Sequence, residues 1–181
     1  MKKKDLEGFD NLPETFLDAL MEFILICCQS KIKTKTFDKN ITMLVHPGVE
    51  TIVHSAWYRK IQGVLEDWKM ESSEEPLAWS REYKASFLAA YERLLQTAKS
   101  KIAKFNSLYD LVPQLLSYGV NVVALNASKD SGSRKQISWQ NNRVNIVVGA
   151  NLLDRGYVVK GLVITYMPRG PGNGNVDAIQ Q

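Results

Sequence analysis

Apolar positions along this chain fall into long stretches repeating at three- and four-residue steps and short, solid blocks. The first pattern marks amphipathic helices and the second marks strands buried on both faces. A helix start is written at Pro13-Glu14, because proline and an acid both suit a first turn. That helix is predicted to run to about Gln29, and its nearly all-round apolarity places it inside the protein. Residues 30–40 read as a basic polar connector. Ile41-Thr42-Met43-Leu44-Val45 then forms a buried-strand block, stopped by His46-Pro47-Gly48.

A helical middle follows. Val49, Ile52, Val53, Ala56, Trp57, Ile61, Val64, Leu65 and Trp68 line one helix face. MESSEEP (70–76) breaks that pattern. A second helix carries Tyr83, Phe87, Ala90, Tyr91, Leu94, Leu95, Ala98 and Ile102. A shorter one carries Leu108, Leu111, Val112, Leu115 and Leu116 and stops near Gly119. Residues 49–118 read as a helical insertion, with a partner-docking or DNA-contacting arm as its candidate role.

The remainder alternates strand and turn. Val120–Leu125, Val144–Val148 and Leu162–Tyr166 are strand blocks, and residues 128–135 and 169–175 are polar or glycine-rich loops. VDAIQQ opens a helix and stops, so a longer parent polypeptide is expected, with this piece cut after residue 181. Residues 1–12 read as a leader and 13–181 as one domain. Short apolar strands separated by helices predict an α/β fold, a mainly parallel sheet covered on both faces.

Composition adds bounds. The chain has 181 residues, 45% apolar and 23% charged, with a formal net charge of +4, which suits one soluble domain. The charge permits a nucleic-acid partner without requiring one. Lys31, Lys33 and Lys35 supply part of it, and such runs are usually solvated surface. Cys27 and Cys28 are helical neighbours that point apart, which fits buried thiols in a reducing cytoplasm. The apolar run 19–28 is too short to span a bilayer, so a cytoplasmic protein is expected.

Four segments carry a family resemblance: LPETFLDALMEFIL (12–25), TMLVHPG (42–48), VVALNAS (122–128) and IVVGANLLDRGYVVKGLVITYMPR (146–169). In this order they resemble the Z1 domain family, a helicase-associated, endonuclease-type domain of bacterial restriction or defence proteins. Residues 145–181 are also similar to the C-terminal RecA-like lobe of superfamily-two helicases. The resemblance implies a three-layer RecA-like (P-loop NTPase-like) fold with a helical insertion. It implies DNA as partner, an N-terminal ATPase lobe elsewhere in the parent, and ATP with magnesium bound by that parent rather than by this chain. Two positions depart from the pattern: Ala150 replaces a glycine, and Val158 stands where helicases usually carry an acid near the nucleotide sugar.

The turn after the third strand is the candidate site. Backbone N–H groups at a strand's C-terminal end suit phosphate oxygens, and parallel sheets bind ligands at that edge. Gly149, Asn151, Asp154, Arg155 and Gly156 are assigned to nucleic-acid contact or coupling between lobes. Arg155 would add a charge-assisted bond and Gly156 a close backbone approach. Read without the resemblance, Asp154 and Arg155 form a local surface pair ending a turn. His46, Asn126 and Ser128, all at strand ends, are further backbone-contact candidates; a hydrogen bond at the strand end is an equal reading for His46, and capping a turn is the simpler role for Asn126 and Ser128.

Other chemistry is thinly represented. GPGNGN (170–175) lacks the Gly-Lys-Ser/Thr ending of a phosphate loop. His46 and His54 lack a converging Cys or carboxylate set, so no metal site is expected. Asp67 with Glu82-Tyr83-Lys84 falls on helices, where exposed charge is the simplest reading, so no catalytic residue is assigned. Trp57 and Trp68 belong to a core stripe, while Trp79 and Trp139 remain open as base-stacking residues. The leading expectation is a nucleic-acid-binding second lobe; the alternative is an inert interaction module that docks a nuclease or ATPase.

Overall fold

The computed structural model describes residues 11–48, 51–98, 100–125, 137–149 and 158–168. Their order is α1 (Glu14–Thr34), β1 (Ile41–Val45), α2 (Thr51–Glu74), α3 (Pro76–Thr97), α4 (Phe105–Tyr109), α5 (Val112–Tyr118), β2 (Asn121–Leu125), β3 (Val144–Gly149) and β4 (Leu162–Tyr166). The four strands form one all-parallel sheet in the order β2-β3-β1-β4. The expected α/β class and parallel sheet are present.

The two central strands, β1 and β3, are buried along their whole length, as their solid apolar blocks require. Ile41, Met43 and Val45 alternate with Thr42 and Leu44 across the pleat. The first set joins Val144, Ile146, Val148 and Val122 in the core that α1, α2, α3, α4 and α5 share. Leu44 and Val147 face the other way, against Ile137 and Trp139. All five described helices thus serve one face. On the second face, the described covering residues outside the strands are Ile137 and Trp139.

Helix boundaries differ from the sequence reading for local reasons. α1 continues beyond Gln29 to Thr34 and takes in Lys31 and Lys33. Lysine is a good helix former, and cations complement the C-terminal end of the helix dipole. Lys35 then closes it in the left-handed region, with its N–H donating to the Lys31 carbonyl. α2 runs through MESS and ends at Glu74, because Pro76 forces Glu75 out of helical geometry. α3 stops at Thr97, so Ala98 and Ile102 lie outside it. The short helix divides at Asp110-Leu111 and ends at Gly119, whose φ of 104° suits glycine.

Residues 51–118 are built into the domain. They form the crossover from β1 to β2, and Val53, Trp57 and Leu115 sit in the core with the sheet. α3 packs on α1 and α2, where Arg93 of α3 bonds Glu22 at 2.6 Å and Asp18 at 3.0 Å on α1. Trp68 and Trp79 close an aromatic cluster with Tyr83, Phe87 and Tyr109. Trp79 is buried and therefore a core residue, not a stacking platform for bases.

Gly161 sets the entry to β4. Its carbonyl accepts from Thr42 N–H at 2.8 Å, and the Lys160 carbonyl accepts from the Thr42 hydroxyl at 2.8 Å. Its φ is +67°, and a Cβ there would collide with the Asn40 carbonyl. Gly161→Ala is therefore expected to cost at least about 2 kcal/mol in chemical denaturation, from strain and the clash together. An unchanged midpoint would contradict this packing of β4 on β1.

Candidate functional site

All four strands point the same way, so their C-terminal ends share one edge. Register places Leu125 beside Gly149, Val148 beside Val45, and Val45 beside Tyr166. The chain leaves β1 through His46-Pro47-Gly48 toward α2, on the helix-bearing face. The β2-to-β3 connection carries Ile137 and Trp139 on the opposite face. Moving from β1 to β2 and from β3 to β4 runs in opposite directions across the sheet. The β1-to-β2 connection and the described part of the β2-to-β3 connection thus lie on opposite faces. β1 and β3 are adjacent, and their exits share the edge where an open parallel sheet has its ligand crevice.

His46 and Gly149 stand at the exits of these two strands. His46 follows β1, half-buried, and its backbone N–H donates to the Tyr166 carbonyl at 2.9 Å. Gly149 is the buried last residue of β3. Asn151, Asp154, Arg155 and Gly156 begin two residues further on and lie outside the described residues, as do Asn126 and Ser128 after β2. The structure thus brings two of the predicted positions, and the exits toward the others, to one edge.

Two residues that sequence reading did not assign, His54 and Tyr166, hold this edge in place. His54, buried in the second turn of α2, has Nε2 2.8 Å from the Gly48 carbonyl and so ties the β1–α2 turn to the helix. Its eight-residue spacing from His46 was a signal only for a metal pair, whereas its observed bond is to backbone. Tyr166 ends β4 and bonds Thr15 of α1 through its hydroxyl at 2.8 Å. Its ring contacts Phe16 and Trp57 at centroid distances of 5.2 and 5.9 Å, and Phe16 meets Trp57 edge-on at 5.1 Å. This aromatic triad packs α1, α2 and the end of β4 together on rigid elements.

The remaining reactive groups are placed elsewhere. Cys27 and Cys28 are buried in α1, where desolvation pushes the Cys27 thiol well up and the Cys28 thiol to about 12. Thiols held neutral in this way are poor nucleophiles. Asp67, Glu82 and Lys84 are exposed on α2 and α3. Burial, with Glu71 and Glu82 nearby, pushes the Tyr83 phenol to about 12, so it stays protonated. Among the described residues, no helix is long and apolar enough to cross a membrane.

The chain is thus an α/β domain built on a four-stranded all-parallel sheet. The Z1 domain family model matches residues 15–181, and the chain belongs to that family. Comparison with curated proteins and with solved structures finds no match.

Removing the His54 side chain takes from the half-buried Gly48 carbonyl its side-chain partner. His54→Ala is expected to cost about 1–3 kcal/mol and to speed amide exchange around Gly48. His54→Gln, which keeps a donor, should recover part of both losses. Equal stability of the alanine variant and wild type in urea would remove His54 from this role.

Proposed function

We propose that this Z1 domain is a RecA-like second lobe, of the P-loop NTPase-like three-layer kind, that grips a nucleic-acid backbone for a bacterial restriction or defence helicase-like ATPase. The observation that supports the reading is the adjacency of the β1 and β3 exits at the sheet's C-terminal edge, with the GANLLDRG segment (149–156) following β3 in sequence. Backbone N–H groups at the strand exits suit phosphate oxygens, and Arg155 supplies the charge-assisted bond. His46 follows β1 at this edge, and Asn126 and Ser128, which follow β2 in sequence, are further proposed backbone contacts. DNA is the proposed partner.

ATP and magnesium belong, on this reading, to a first lobe of the parent protein. Closure of that lobe on the C-terminal edge would favour one grip over another, a population shift driven by differential binding. Arg155 and Gly156 lie on the turn that would meet both ligands. A second reading, an inert module that docks a nuclease or ATPase, is favoured by one observation. Val158, standing where helicases usually carry an acid, is apolar and 74% exposed.

A salt series of binding to single- and double-stranded DNA, beside Arg155→Ala, tests the first reading. Salt-sensitive binding is expected, and the variant should bind more weakly with a log–log slope shallower by about 0.7–1. Absence of binding at low salt would discard the gripping lobe in favour of the docking module.

A further inference from the structure

A second surface lies at the opposite end of the sheet. α1 and α5 both end where the chain turns toward the N-terminal ends of strands, α1 before β1 and α5 before β2. Lys33 and Lys35 are exposed there, and Lys31 is half-buried beside them. The α3–α4 connection joins this group, because Ala103 N–H donates to Gln29 Oε1 of α1 at 2.7 Å. That bond brings the exposed Lys101 and Lys104 alongside the end of α1. Lys33 and Ser100 also line one cavity between α1 and α3. Among the described residues, none of these five lysines enters an ion pair, and the acid in the adjoining connector is Asp38.

An aromatic ring accompanies the charge. Tyr118, the last residue of α5, is 50% exposed, and its ring lies 5.0 Å from that of Phe37. Lys31 Nζ sits 4.6 Å from the other ring's centroid, over Phe37. Tyr118 is thus supported from beneath and left open beside cations. Lysines that track phosphates, next to a rigid aromatic face, are the arrangement that binds single strands without sequence preference. The exposed aromatic favours an unpaired strand, since a duplex hides the base faces.

We infer that Lys31, Lys33, Lys35, Lys101 and Lys104, with Tyr118 as a stacking face, form a surface for single-stranded nucleic acid at the N-terminal end of the sheet. This surface is separate from the C-terminal crevice and does not rely on Arg155. The test is oligothymidylate binding by the full chain across a salt series, comparing wild type with Lys33→Gln/Lys35→Gln/Lys101→Gln and with Tyr118→Ala and Tyr118→Phe. All four positions are exposed, and thermal melting confirms that each variant folds.

The triple variant is expected to flatten the log–log salt slope by about 2, near 0.7 for each phosphate that a lysine no longer neutralises. Tyr118→Ala is expected to weaken binding about tenfold, while Tyr118→Phe, which keeps the stacking face, stays near wild type. An unchanged slope in the triple variant would overturn the inference, as would a phenylalanine variant as weak as the alanine one. So would binding to phosphatidylserine vesicles in place of the oligonucleotide. Arg155→Ala distinguishes the two surfaces: weaker binding there alone supports only the crevice, and weaker binding in the lysine and Tyr118→Ala variants alone supports only this surface.

Discussion

Because β1 pairs in parallel with β3 on one side and β4 on the other, every connection must carry the chain back from one sheet edge to the other. That demand shapes the molecule. The return from β1 to β2 uses four helices, and their apolar faces cover the side of the sheet bearing Met43, Val45, Ile146 and Val148. The central strands can then be apolar throughout, since burial rather than alternation selects their residues. The same parallelism gathers the strand exits at one edge and makes those of β1 and β3 neighbours.

Rigidity at that edge comes from packing between elements far apart in sequence. Thr15 and Phe16 begin α1, Trp57 lies in α2, and Tyr166 ends β4, yet the four meet under the turn that carries His46. His54 fixes the same turn from the helix side. The Arg93 bonds to Glu22 and Asp18 fasten α3 across α1 in an exposed setting, where such pairs orient more than they stabilise. Bulky apolar packing therefore sets the shape, and a few polar bonds fix the exits.

The strands were legible in the sequence because blocks such as ITMLV and VNIVV contain nothing that competes with burial. Helix ends were less so. Lys31 and Lys33 look like connector by polarity, yet both favour a helix and suit its C-terminal end. The MESS stretch is polar enough to read as a break, but nothing in it stops a helix until Pro76 does. The gathering of the five described helices on one face was hidden because a buried strand looks the same whichever segments cover each of its faces. For the site, strand ends identified His46 and Gly149 as edge positions. Strand order made them neighbours, and no local pattern encodes that order. His54 and Tyr166 were missed because their roles depend on partners in other elements.

The central claim is that the C-terminal edge between β1 and β3 is the working face. Amide hydrogen exchange of the full chain, with and without single-stranded DNA at low salt, tests it most directly. Slower exchange on binding is expected at His46 and Gly48 and at residues 145–149, because a ligand in the crevice would cover both exits. Saturating DNA that leaves exchange at both segments unchanged would contradict it.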